Sequence, residues 1–205
     1  MDPKRDDAIE VLKKAIEGLG FKGLKFHPPL QDFYPNDERY FGIYKEGQRL
    51  GIPIVFHVGS TPFGNLCKLS QANPLLIDDV AVAFPELRIM LTHLGTLWQN
   101  EAFMVVEKNP NVFIDTAAYL YEINEIITEN LISRIGEDKI IFGTDYPMPS
   151  PPHPVHNMKA FVEKIKHLSI PSEIREKIFF KNFERMVNPP KKELQKAISL
   201  KEIIR

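Results

Sequence analysis

Lys139-Ile140-Ile141-Phe142-Gly143-Thr144-Asp145-Tyr146-Pro147 is the stretch on which the reading of the fold turns. A short apolar run, Ile140 to Phe142, bounded by Gly143, predicts a buried strand. Asp145 is delivered at its C-terminal end, and Pro147 stops any continuation. A carboxylate at the mouth of a buried strand is a ligand or acid/base candidate. Taken alone it is more often a turn former or a helix cap, because its oxygens bond nearby backbone N–H groups.

The rest of the chain repeats the pattern. Phe21-Lys22-Gly23-Leu24-Lys25-Phe26-His27 reads as a strand stopped by Pro28-Pro29, with Lys25 and His27 on one face and Leu24 and Phe26 on the other. Further strands start near positions 53, 87 and 112 and end in His57, in Thr92-His93 and in Asp115-Thr116. Helical spacing fills the intervals. It predicts a first helix capped by Asp2 with Pro3 in its first turn, others over about 37–50, 74–84, 98–108 and 122–135, and a pair over 157–167 and 172–187. Strictly alternating strands and helices argue an α/β fold with a parallel sheet. In a doubly wound sheet only the strands at the switch point need polar ends. In a (β/α)8 barrel every strand end faces one site, so the distribution of polar ends favours the barrel. The single domain is placed at 1–187, followed by a charged helical tail over 188–205.

Bulk composition narrows the classes. The chain has 205 residues, 43% of them hydrophobic, and a formal net charge of −1. No nucleic-acid or membrane partner is expected from those totals. One cysteine, Cys67, excludes an internal disulfide and suits a reducing compartment. No apolar run approaches the roughly 20 residues that span a bilayer. A cytoplasmic protein with a small-molecule substrate is the expectation.

Read together, Gly23-Leu24-Lys25-Phe26-His27-Pro28, Phe56-His57-Val58-Gly59, Thr92-His93-Leu94-Gly95 and Phe142-Gly143-Thr144-Asp145-Tyr146-Pro147 resemble the amidohydrolase superfamily. The branch they look like is amidohydrolase-2, which includes aminocarboxymuconate-semialdehyde decarboxylase and related decarboxylases and hydrolases. The resemblance implies a metal-dependent hydrolase-type TIM barrel with a divalent ion at its C-terminal mouth, Zn2+ first and Mn2+ as the alternative. It implies His57 and Asp145 as metal ligands, and His93 and Asp145 as the catalytic groups acting on a metal-activated water. Lys25 stands where binuclear members place a carboxylated lysine and where mononuclear members bind substrate. Lys25 is therefore a substrate-binding candidate, and Thr116, by its own place at a strand end, is a second. The family's first strand ends in His-x-His, and this sequence contains none. The motifs present match strands four to eight, so the barrel is expected to be incomplete, since a whole one takes roughly 250 residues.

The function implied is hydrolysis or non-oxidative decarboxylation of a small carboxylate-, amide- or lactone-type substrate. Two alternatives stand beside it: a catalytically incomplete remnant needing another segment, and a TatD-type nuclease. The nuclease reading is disfavoured by Lys25 and by the near-neutral charge. Other features read as structural: His27 as a loop tie beside Pro28-Pro29, Trp98 and Phe63 as packing, His153 and His156 as a rim feature, and Cys67 as no nucleophile. Five strands without the other three leave two open edges, the first strand and the last. A wetted row along Val55, Ile89, Leu91 and Ile141 is expected with them, and so self-association or a completing segment.

Overall fold

The computed structural model describes residues 1–118, 123–147 and 158–189. His153, His156, most of the proline-rich loop and residues 190–205 of the tail lie outside those described.

Five strands, β1 (Leu24–Phe26), β2 (Ile54–Phe56), β3 (Ile89–Leu91), β4 (Val112–Asp115) and β5 (Ile140–Ile141), form one parallel sheet in sequence order. Before, between and after them run α1 (Ala8–Lys13), α2 (Pro28–Gln31), α3 (Phe41–Arg49), α4 (Leu75–Ala83), α5 (Gln99–Lys108), α6 (Ile123–Ile126), α7 (Glu129–Ile135), α8 (Met158–Lys166), α9 (Ser172–Glu176) and α10 (Asn182–Val187). Parallel pairing sends every strand in one direction, so all five C-terminal ends lie along one edge of the sheet.

Register fixes what each face carries. Leu24, Ile54, Ile89 and Val112 are in line, as are Phe26, Phe56, Leu91, Ile114 and Ile140, and all are buried against the helices. The other face carries Lys25, Val55, Met90 and Phe113 in line. Alternation has period two, so a one-residue misreading moves a strand's whole apolar set across the sheet. Ile89 and Leu91 were expected on the open face and lie on the helix face instead, each 0% exposed. Ile141 belongs to the open face yet is covered, because Phe113 and Met186 of α10 pack on it. Of the expected wetted row, Val55 alone remains half-open.

The two edges also differ. On β5 the Ile140 carbonyl accepts from Asn182 Nδ2 at 2.8 Å, and the Phe142 N–H donates to the Ile178 carbonyl at 2.9 Å. Ile178 lies in the π-turn Lys177–Lys181, which joins α9 to α10. That segment covers the β5 edge, which corrects the expectation of two open ones. On β1, Leu24 and Phe26 bond to the β2 side, and the His27 N–H is taken by Gln31 Oε1 at 2.7 Å. Alternation leaves the Lys25 backbone facing outward, with no partner among the described residues.

Two predicted helices are corrected. The first begins at Ala8 rather than Pro3, since Asp2 accepts from the Lys4 N–H and caps a separate turn, and α1 runs on as a π-turn over Lys14–Gly18. The stretch 122–135 is two helices, because the Thr128 hydroxyl accepts the Leu131 N–H and starts α7 afresh.

Candidate active site

His57 directly follows β2, and Gly59 lets the chain turn sharply behind it. Its φ is +91°, and a side chain there would meet the Thr96 carbonyl at 2.6 Å. The loop after β2 therefore lies against the loop after β3, which carries His93. His93 and Leu94 are left-handed, at φ 62° and 46°. Non-glycine residues adopt that region at a cost, and surrounding bonds must hold them there. Asp115 supplies the bonds. Its Oδ1 accepts the His93 N–H at 2.8 Å and the Ala117 N–H at 3.0 Å, in a site where Asp115 is 6% exposed.

The two rings meet. His93 Nε2 stands 3.1 Å from His57 Nδ1. The outer nitrogens face carbonyls: His57 Nε2 lies 3.1 Å from Ser60 O, and His93 Nδ1 lies 3.3 Å from Ala117 O. A carbonyl only accepts, so both outer nitrogens must donate. Two neutral imidazoles then have no third proton, and the inner nitrogens face each other as lone pairs. A third proton or a shared cation turns that repulsion into attraction. Burial opposes the proton on His57, whose pKa is held well below the imidazole range by desolvation, and further by the charges of His93, His27 and Lys25.

The unprotonated His57 Nδ1 is free to hold a divalent cation, and His93 Nε2, 3.1 Å away, is placed to exchange a proton with a group bound beside it. The set is incomplete. Among the described residues no three His, Cys, Asp or Glu side chains stand together at metal-holding spacing. Asp145 lies four positions beyond β5, is exposed and has a left-handed backbone at φ 59°. Its charge acts on Lys25, which places it at the same mouth.

Lys25 is the electrostatic hub. Solvent reaches it, yet so much protein surrounds it that desolvation pushes its ammonium down to about 8, against the pull of Asp115 and Asp145. Its own charge depresses both His57 and His27. His27 stacks on His57 with ring centroids 3.8 Å apart and planes 12° from parallel. Burial, then the Lys25 charge, brings its pKa down to about 4.

Thr116, expected to reach substrate, does something else. It is 0% exposed, its hydroxyl donates to Gly143 O at 3.0 Å, and it accepts the Gly143 N–H at 3.1 Å. It ties β4 to β5 beneath the mouth, with its one proton committed to Gly143 and its remaining lone pair buried.

A parallel α/β sheet with its polar groups gathered along the C-terminal edge has the architecture of the TIM-barrel class, here with the barrel unclosed. The chain belongs to the amidohydrolase family, whose profile matches residues 1–188. Solved structures similar to it include a dihydroxybenzoic acid decarboxylase from Polaromonas sp. JS666 with bound manganese and 2-nitroresorcinol. That pair has 19% identity and a TM-score of 0.69, covering 91% of this chain and 66% of the other. A TIM-barrel protein of Bordetella bronchiseptica is 26% identical with a TM-score of 0.68, over 86% of this chain and 60% of that one. The 4-oxalomesaconate hydratase of Rhodopseudomonas palustris is 20% identical with a TM-score of 0.64, over 100% and 66%. The chain thus spans less than two thirds of each of these three.

Proposed function

We propose that this chain carries the metal-holding and substrate-holding mouth of a metal-dependent amidohydrolase-type enzyme, which hydrolyses or non-oxidatively decarboxylates a small organic carboxylate. One observation carries the reading: two buried imidazoles whose outer nitrogens are committed to carbonyls, leaving two lone pairs 3.1 Å apart.

His57 and Asp145 are the residues that would hold a divalent ion, zinc first, with manganese the alternative that the Polaromonas decarboxylase binds. Such an ion, when bound, supplies Lewis-acid polarisation of a substrate oxygen. His93 is the proton carrier. In hydrolysis it takes a proton from the attacking water. In decarboxylation His93 Nε2 first takes a proton from the substrate acid or from water; the carbon–carbon bond then breaks, CO2 leaves, and His93 gives that proton to the carbon. Asp115 keeps His93 aimed through the backbone. Lys25, charged below pH 8, holds the substrate carboxylate and orients the bond to be broken. Exposed Leu30 in α2, and Tyr34, Leu66, Leu69, Leu97 and Tyr146 in the segments that follow the strands, offer contact to an apolar substrate body.

A second reading concerns completeness. The open β1 edge supports a further strand-bearing segment, or a second copy, pairing there before the site is whole. Isothermal titration of Zn2+ and Mn2+ into the full chain tests the first reading. Binding that disappears in His57→Ala and weakens in Asp145→Asn supports it, and metal binding indifferent to both rejects it.

A further inference from the structure

Among the described residues, His27 is the one mouth histidine to which neither the metal reading nor the proton path gives work. Its environment is nonetheless specific. Its Nδ1 accepts the Leu30 N–H at 3.3 Å, because His27 precedes the first turn of α2 and caps it. An accepting Nδ1 bears no proton, so a neutral ring carries its proton on Nε2. The ring is held from both directions, by that bond and by the stack on His57. The backbone beneath is fixed by Gln31, which accepts the His27 N–H at 2.7 Å and donates to the Met1 carbonyl at 2.6 Å. Nε2–H, at the far end of the ring, has no hydrogen-bond partner among the described residues. Lys25 lies two positions earlier on the same strand face, roughly 6.6 Å back along the strand.

We propose that His27 is a ligand-binding residue, whose fixed Nε2–H and the Lys25 ammonium together grip a small carboxylate, one oxygen each. The pairing suits a monoanion. A cation beside a neutral donor supplies one positive charge and two bonds, whereas two cations would favour a dianion such as phosphate. The tautomer lock is what makes the donor permanent: rotation of the ring would cost the bond to Leu30 and the stack together. This inference deepens the proposed function and rests on its reading of the mouth as a carboxylate site.

The test uses the full chain, with benzoate as probe and no added metal. Long-range 15N–1H spectra report which nitrogen of His27 bears the proton, and calorimetry reports benzoate affinity in wild type, His27→Phe, His27→Gln and Lys25→Met. Phenylalanine keeps a ring on His57 and lacks the donor; glutamine restores an N–H near the Nε2 position. The expected result is a protonated Nε2 that shifts on adding benzoate, an affinity loss of about tenfold or more in His27→Phe, and recovery to within about threefold of wild type in His27→Gln. A proton on Nδ1, unchanged affinity in His27→Phe, or equal losses in both His27 variants would overturn the clamp. Lys25→Met separates the two claims. If it weakens benzoate while His27→Phe does not, only the role of His27 fails. If wild type binds no benzoate, or Lys25→Met leaves affinity unchanged, the carboxylate reading fails with it.

Discussion

His93 Nε2 lies 3.1 Å from His57 Nδ1, and each ring's other nitrogen faces a backbone carbonyl. The relationship depends on Asp115, two strands from His57 in the sheet, whose single oxygen holds the left-handed turn that presents His93. Structure and chemistry meet at that carboxylate: it orders the loop, and its charge favours the Lys25 ammonium above it.

Asp115→Ala removes the acceptor for two buried N–H groups, those of His93 and Ala117. Each unsatisfied donor costs about 1–3 kcal/mol, so a loss of roughly 2–5 kcal/mol in urea unfolding is expected, with Asp115→Asn losing clearly less. That is a large part of a typical stability of about 5–15 kcal/mol. A loss below about 0.5 kcal/mol would mean that the turn holds itself.

Asn182→Leu should open the β5 edge. Its side-chain amide donates to the carbonyls of Glu137 and Ile140, and both would be left without that donor. Unfolding should shift by about 2–4 kcal/mol. Sedimentation velocity should show more self-association than the wild type, because a second edge becomes available for pairing. A variant as monodisperse as the wild type would show that the edge is covered by other means.

Lys139 gives a pH signature away from the site. Its ammonium donates to the carbonyls of Asn109, Pro110 and Val112, yet burial pushes its pKa down to about 8. Below pH 8 the group is protonated in both folded and unfolded chains. Between about 8 and its ordinary value of 10.5 the unfolded chain holds a proton that the folded chain has lost, so this group makes stability rise with pH. Lys25, lowered to about 8, acts in the same direction. Lys139→Met should flatten the rise between pH 8 and 10 in urea unfolding. An unaltered slope would show that Lys139 keeps its proton across this window.

Much of this was legible in the residues. Apolar runs marked all five strands, four of them closed by Gly or Pro and β4 by Asp115-Thr116, and the polar ends His57, His93 and Asp145 pointed to one edge of a parallel sheet. What escaped was set by contacts distant in the chain. Asn182 meets Ile140 across 42 positions, and no local pattern in Asn182-Phe183-Glu184 marks an edge cover. The face assignment of Ile89 and Leu91 failed because Leu87 to Leu91 is mostly apolar, and such a run has no alternation to read. Thr116 was misjudged because a threonine at a strand end looks the same whether its hydroxyl points to the mouth or to Gly143. For His27 a local signal did exist: a histidine directly before Pro28-Pro29 is placed to cap a helix start, and capping fixes its tautomer.

The measurement that bears most directly on the mouth as a metal-dependent site is zinc calorimetry on the full chain at pH 7, read beside the protonation state of His57 and His93 from 15N spectra. The expected result is one weak site per chain. Filling it should perturb the inner nitrogens, His57 Nδ1 and His93 Nε2, and leave the outer nitrogens protonated, and it should vanish in His57→Ala. Binding would be weak because two or three protein ligands leave the remaining positions to water. A third proton already shared between the two rings in the free protein, with zinc leaving both sets of resonances unmoved, would contradict it.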